Sequence, residues 1–296
     1  MQVMDLISKI ELRAKELGFD LFGVADPNIE KEQVDFFQKW LDEGRAGSME
    51  AWLKRGAQKR ADINKVSEGA KSAICLAVNY YPGDHVLPKR KVARYAWGND
   101  YHELIGDKAR AFCEYLKELG DKNPVWYTDT GAIFERYLAY GAGLGFIGKN
   151  TCLITKEFGS WVFLAVILTK FELPFTGSKY DFSMCGSCKR CVEACPTGAL
   201  SELDLDARKC ISYLTIEKKG AFSEEERALV AKQNYCFGCD VCQEICPHNA
   251  RAKKTSAFKP RFENLEMDDI AMIDKRSPVL RAKLRGLCRN LEALGS

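Results

Sequence analysis

The sequence lacks any apolar run of the ~20 residues needed to span a bilayer; the longest candidate is the short stretch Trp161–Leu168. A membrane-embedded protein is therefore not expected. The opening residues, Met1 to Asp5, carry neither a basic n-region nor an apolar h-region, so nothing there reads as a secretion signal. Without an oxidising destination, the 13 cysteines cannot be read as a disulfide framework, and a reducing, cytoplasmic location is expected. Internal repeats and low-complexity tracts are also absent, which argues against a repeat architecture. What remains is a 296-residue chain, 46% hydrophobic, able to bury a full core in one large unit and a smaller one.

The cysteines are not scattered. Cys185-x2-Cys188-x2-Cys191-x3-Cys195-Pro196 is followed by Cys236-x2-Cys239-x2-Cys242-x3-Cys246-Pro247. This spacing lets three thiolates of one tight loop hold three irons of a 4Fe–4S cube, while the cysteine before proline reaches across to the other cube. Structural zinc uses paired C-x2-C knuckles with a longer gap between them, and lacks the third cysteine and the trailing Cys-Pro. Two clusters are expected. Nine cysteines compete for eight positions, because Cys210 precedes the second run, and spacing alone selects Cys236 as a ligand and leaves Cys210 as a buried thiol. Cys75, Cys113, Cys152 and Cys288 fall outside both runs and read as core or surface thiols.

Along the chain, Leu6, Ile7, Ile10, Ala14 and Leu17 recur at helical spacing and Gly18 follows, predicting a helix over 4–17. Phe19–Ala25 reads as a strand, and 30–43 as a second helix. Residues 44–70 are polar and glycine-containing, with Lys54, Arg55, Lys59 and Arg60 as a basic cluster. Ser72–Tyr81 is nearly continuous in apolar residues, which predicts a strand buried on both faces. A helix is expected at 103–119 and a strand at Val125–Thr128. Asp129 then sits where it would cap a helix over 132–140. The literal G-x-G-x-x-G at 143–148 follows a helix and leads into strands, the reverse of a dinucleotide fingerprint, although such a backbone can still lie against a planar ligand. Thr151–Thr155 and Ser160–Thr169, joined through Glu157-Phe158-Gly159, predict a hairpin and hence a mixed or antiparallel sheet. Pro174–Phe182 reads as a linker.

The net charge of +3 is uneven: residues 251–296 hold 11 Lys and Arg against 6 Asp and Glu, leaving the rest slightly acidic. That end of the chain is either a solvated basic tail or a surface for a polyanion.

Several stretches together resemble one family. They are Arg94-Tyr95-Ala96-x-Gly98-x-Asp100-Tyr101-His102, Thr128-Asp129-Thr130-Gly131, Gly141-Ala-Gly143-Leu-Gly145-Phe-Ile-Gly148-Lys149-Asn150-Thr151, Gly159-Ser160-Trp161, the run from Cys185 to Ala199, and Arg208-Lys209-Cys210-Ile211-Ser212-Tyr213-Leu214-Thr215. The pattern resembles the epoxyqueuosine reductases, cobalamin and iron–sulfur enzymes of the last step of queuosine synthesis in tRNA. The resemblance implies an α+β architecture. An α/β cobalamin-binding module, of the kind shared with reductive dehalogenases, would occupy residues 1–178. A two-cluster ferredoxin-like unit would occupy 179–250, and a basic helical segment 251–296, without the helical repeats that extend many members.

The same resemblance implies cobalamin contacts from Arg60, Arg94, Tyr101, His102, Asp129, Gly148, Lys149, Asn150 and Ser212, with Asp129 as proton donor. It assigns one cluster to Cys185, Cys188, Cys191 and Cys246, and the other to Cys195, Cys210, Cys239 and Cys242, so that Cys210 replaces Cys236. Partners would be tRNA carrying epoxyqueuosine and an external low-potential electron donor. The alternatives are another corrinoid iron–sulfur reductase acting on a small molecule, and a ferredoxin-type electron carrier, which would leave the long preceding domain unexplained.

Overall fold

The computed structural model describes residues 3–84, 89–177, 182–256 and 258–295. Its centre is an antiparallel sheet of four strands in the order β1-β2-β7-β4: β1 (Leu21–Ala25), β2 (Ser72–Asn79), β7 (Val162–Thr169) and β4 (Val125–Tyr127). β2 is buried along its whole length because both faces are covered. Ile74, Leu76 and Val78 point to one side, where α1 (Val3–Glu16) brings Ile10 and Ala14 and α4 (Tyr101–Glu118) brings Ile105, Phe112 and Leu116. Ala73, Cys75 and Ala77 point to the other side, against Leu138, Ala139 and Ala142 at α5 (Glu135–Gly141). Small residues on that side let the short helix approach closely.

Two further helices, α2 (Lys31–Asp42) and α3 (Glu50–Ala61), lie between β1 and β2 in the chain. α3 occupies the polar stretch in which the sequence shows no apolar period; its one buried residue is Arg60. The expected hairpin is not formed. β6 (Leu153–Ile154) pairs with β5 (Phe146–Ile147), while β7 pairs with β2 and β4, and only a single Thr155–Gly159 bridge lies in the turn. The turn at 155–159 therefore hands the chain from a small sheet to the large one. Gly145 and Gly148 have a packing reason: a Cβ on either would lie within 2.4 Å of Ile154 atoms across the β5–β6 pair.

The cysteine-rich part contains α6 (Arg190–Glu193), the hairpin of β8 (Leu200–Ser201) and β9 (Asp204–Leu205), α7 (Ile211–Ile216), α8 (Glu224–Gln233), β10 (Tyr235–Phe237) and α9 (Val241–Glu244). It is not a separate bead on the chain, since β10 pairs in parallel with β3 (Lys91–Val92). Residues 178–181, within the expected linker and at its boundary, lie outside the described residues. After the second cysteine run the chain returns to the first unit, where the Phe258 ring joins the core beside Tyr80 and Phe163. It ends in α10 (Lys283–Ala293), whose Asn290 amide donates to the carbonyls of Thr215 and Cys236. The basic end is thus built into the fold and is not a loose tail. Among the described residues, no helix is long and apolar enough to cross a membrane.

Candidate functional site

Eight of the cysteines fall into two groups, each drawing on both runs. Cys185, Cys188, Cys191 and Cys246 line one hollow together with Lys149, Asn150, Ile154, Pro247 and His248. Cys195, Cys210, Cys239 and Cys242 form the other group: burial first, and then the charge of neighbouring cysteines of this group, raise the thiol pKa values of Cys210, Cys239 and Cys242. Each run places its third cysteine on a one-turn helix, α6 or α9, and the cysteine before proline just beyond that helix joins the other group. Peptide N–H groups point at the sulfurs. Burial pushes the Cys195 thiol up, but donors from Thr197, Leu200 and Ala199 outweigh it, so its pKa falls below the usual thiol value. Cys210 is likewise faced by the N–H groups of Tyr213 and Ser212, and Cys185 accepts from the Lys149 N–H at 3.5 Å. Such donors stabilise thiolate sulfur, the form that binds iron.

Cys236 stands apart. It is fully buried on β10 beside Val92 and Phe237, and its thiol donates to the carbonyl oxygens of Arg90 at 3.1 Å and Lys91 at 3.3 Å. Burial pushes it up to about 12.

A second constellation forms where β4 ends. Asp129 adopts a left-handed backbone, φ 57°, uncommon outside glycine. Its side chain is 68% exposed, and its Oδ2 accepts from the Tyr101 hydroxyl at 2.7 Å. The ring of Tyr101 is stacked between His102 and Phe163, at centroid distances of 4.1 and 4.3 Å. Burial, and then the charge of Asp129, hold the Tyr101 phenol far above its ordinary range. Asp100 caps α4 by accepting the His102 N–H, and its carboxylate also meets His102 Nδ1 at 2.7 Å. His102 Nε2 is then aimed toward Asp129 Oδ2, 3.8 Å away. Burial lowers the His102 pKa, but the Asp100 hydrogen bond and charge outweigh it and leave it raised.

The residues singled out in the sequence separate into distinct places. Arg60, Tyr101, His102 and Asp129 come together: the buried Arg60 guanidinium lies over Phe37 and Trp52 and donates to the Gly131 carbonyl at 3.3 Å. Lys149 and Asn150 lie against the first cysteine group, with Gly148 just before them packed on Ile154, and the Asn150 amide also donates to the Cys242 carbonyl at 3.3 Å. Ser212 sits at the start of α7 beside Cys210. Arg94 meets neither constellation through its guanidinium, which is buried and pairs with Asp240 at 3.1 Å and Glu244 at 2.6 Å across the two units.

The expected cap on α5 is absent. That helix begins at Glu135 with Phe134 at its cap position, so Asp129 lies too far upstream to serve. Two residues that sequence reasoning missed adjoin the site. Arg281, read only as part of the basic segment, pairs with Glu217 at 2.9 Å and brings its charge near Asp129 and Tyr101. Glu135 accepts the Asp129 peptide N–H at 2.9 Å. Neither has a local sequence signal, because only the packing of α5 and the C-terminal segment brings them here.

Comparison with known proteins is consistent across the chain. Residues 60–130 match a family model described as "Epoxyqueuosine reductase QueG, DUF1730", and 184–249 match a "4Fe-4S double cluster binding domain". An epoxyqueuosine reductase of Cyclobacterium marinum is 38% identical over 296 residues, covering 95% of this chain and 94% of its own. The chain belongs to the epoxyqueuosine reductase family. It is accordingly an oxidoreductase. Among solved epoxyqueuosine reductases, one with a tRNA-Tyr epoxyqueuosine-modified stem loop superposes with a TM-score of 0.85 at 28% identity, covering 99% of this chain and 81% of that one. A Bacillus subtilis epoxyqueuosine reductase, described with its catalytic aspartate loop swung out of the active site, gives a TM-score of 0.85 at 26% identity, with 99% and 82% covered.

Proposed function

We propose that this epoxyqueuosine reductase reduces epoxyqueuosine in tRNA to queuosine, with a cobalamin at the Tyr101–His102–Asp129 constellation and two 4Fe–4S clusters feeding it electrons. The observation that carries the reading is the convergence of Tyr101, His102 and the left-handed Asp129 beside a unit with two four-cysteine groups. The proposed units are residues 1–178 for the corrinoid and the reaction, 179–250 for the clusters, and 251–296 for a basic helical segment. A cytoplasmic protein with an external low-potential donor completes the proposal.

Each group fits its residues on this structure. The four cysteines lining one hollow, and the second set of four in mutual reach, supply the thiolates of two cubes. Near Asp129, His102 Nε2 is buried and has no hydrogen-bond partner, a donor or acceptor held ready for a bound molecule. Cobalamin would be held by Tyr101, His102 and Asp129, with Arg60 fixing the loop under Gly131 and with Gly148, Lys149, Asn150 and Ser212 on the side of the clusters, while Arg94, its guanidinium taken by Asp240 and Glu244, would act by joining the two units. Bound in its reduced form, it supplies a nucleophilic metal able to deliver the electron pair that opening the epoxide requires.

The chain's own residues handle protons and access. The net change takes two electrons and two protons, converts the epoxide to an alkene and releases its oxygen as water. Asp129 is placed to give a proton from Oδ2 to the departing oxygen. His102, whose raised pKa favours the imidazolium, stands behind it to return a proton to Oδ2, and Asp100 fixes its ring by holding Nδ1. Tyr101, its phenol kept protonated, orients the carboxyl through its hydroxyl. Two cubes held by these thiolates would belong to a class whose potentials reach roughly −700 mV at the low extreme, as a strongly reducing relay needs.

Asp129→Asn tests the reading. The variant should retain eight irons and bind cobalamin, and lose at least about a hundredfold in single-turnover reduction, the usual worth of a positioned acid. Wild-type turnover in that variant would remove Asp129 as the donor.

A further inference from the structure

The loop that carries Asp129 is tied down by three side chains from three different helices. Tyr101 of α4 holds the carboxylate and Arg60 of α3 holds the Gly131 carbonyl. The third tie is made by Glu135, the first residue of α5, whose Oε2 accepts the peptide N–H of Asp129 itself at 2.9 Å. The two other groups bind atoms that a substrate or cofactor could also bind. Only the Glu135 bond grips the backbone of the reacting residue, at the peptide whose φ of 57° is the costly feature of the loop.

We propose that Glu135 is a positioning residue that latches the Asp129 loop in its working conformation. The inference rests on Asp129 being the proton donor, and goes beyond it in naming what keeps that donor in place. A left-handed aspartate relaxes to an ordinary backbone unless its surroundings over-determine it, and a carboxylate acceptor on its N–H provides a charge-assisted bond of above-average strength. The other oxygen of Glu135, Oε1, is buried without a hydrogen-bond partner, a cost the fold bears to bring the acceptor to this point.

The latch carries its own pH response. Burial raises the Glu135 carboxyl to about 7. The groups facing it are the Asp129 N–H and carboxylate from the loop, His102 from α4, Arg60 from α3, Cys75 from β2, and Arg136 from its own helix. The Asp129 N–H, Arg136 and His102 favour the ionised form and the Asp129 carboxylate opposes it, but burial outweighs their sum. Below pH 7 the carboxyl becomes neutral and its hydrogen bond to the loop loses its charge assistance.

Hydrogen exchange at the Asp129 amide, followed by mass spectrometry on the protein with clusters and hydroxocobalamin bound, reads the latch directly. Protection of that amide, corrected for intrinsic exchange, should fall at least about tenfold in Glu135→Ala at pH 8, the low end of the change expected from losing a hydrogen bond to a charged group. Amides of β2 and β7 should keep theirs. Glu135→Gln, which retains a carbonyl acceptor, should recover most of the protection. In the wild type the protection should drop between pH 8 and pH 6, and in Glu135→Gln it should not. The maximal single-turnover rate should fall in Glu135→Ala with the half-saturating concentration for the tRNA stem loop unchanged. Equal protection of Asp129 in wild type and Glu135→Ala overturns the latch, as does full turnover with an unprotected loop. If Glu135→Ala loses its core protection, the pH comparison between wild type and Glu135→Gln decides alone, and a parallel response in the two rejects the proposal. Should Asp129→Asn prove active, the donor assignment fails while the exchange result still reports whether Glu135 holds the loop.

Discussion

At the scale of single residues, the second cluster turns on which cysteine leaves its run. A C-x2-C-x2-C-x3-C-P spacing invites Cys236, yet β10 turns that side chain into an apolar layer where its thiol donates to two carbonyls. Cys210 sits instead beside Cys195 and Cys239. Spacing describes reach along a loop, whereas pairing with β3 makes Tyr235–Phe237 a strand, which supports the proposal that Cys210 is the ligand. Cys236→Ala is therefore expected to keep eight irons, while Cys210→Ala should drop to seven or fewer with a three-iron EPR signal; iron analysis and EPR check both. Glu135 yields a second residue-scale prediction, in stability. Its folded pKa is raised from 4.5 to about 7, so its contribution is most favourable below pH 4.5 and is lost as pH rises through 7. Glu135→Gln removes that loss. Its melting temperature should exceed the wild type's at pH 8 and the gap should narrow toward pH 6; a constant gap would contradict a raised pKa.

At the scale of elements, β2 was legible because unbroken apolar sequence means cover on both faces, and its alternate residues divide between the α1–α4 side and the α5 side. The helices with a 3.6-residue apolar stripe, α1, α2 and α4, were legible for the same reason. α3 was not, because its single buried side chain is an arginine whose aromatic and carbonyl partners come from elsewhere in the chain. The supposed hairpin failed for lack of a register signal, since β6 and β7 are both apolar and a turn at 155–159 serves either pairing. The join between the two units was equally invisible, being Arg94 against Asp240 and Glu244 with all but the last fully buried. Removing one partner of a buried ion pair leaves an uncompensated charge, at a cost of about 3–5 kcal/mol. Arg94→Ala should lower stability by that order, measured by denaturant unfolding. Asp240→Asn, which keeps the shape and part of the hydrogen bonding, should cost less. An Arg94→Ala variant of wild-type stability would show that the two units hold together without the pair.

At the scale of the whole molecule, charge rather than shape points to where a tRNA would lie. The basic C-terminal segment was visible in composition, but composition could not separate cations already engaged from those facing solvent. Lys253 pairs with Glu157, Arg261 with Asp274 and Arg281 with Glu217. Arg251, Lys254, Lys259, Lys283 and Arg285 are exposed and make no ion pair among the described residues. Arg281 also connects this segment to the Asp129 site, since its charge reaches Asp129 and Tyr101. A stem loop entering that site would therefore lay its backbone along the same segment. A cation on a phosphate releases counterions, so neutralising one such cation should flatten the dependence of log affinity on log salt by about one unit. Neutralising Lys254, Lys259 and Lys283 together should reduce the slope for a tRNA stem loop by up to about three units. Neutralising Lys253, already committed to Glu157, should change it less than any of the three alone. Fluorescence anisotropy across a salt series measures both, and slopes identical to the wild type's would place the RNA backbone on a different face.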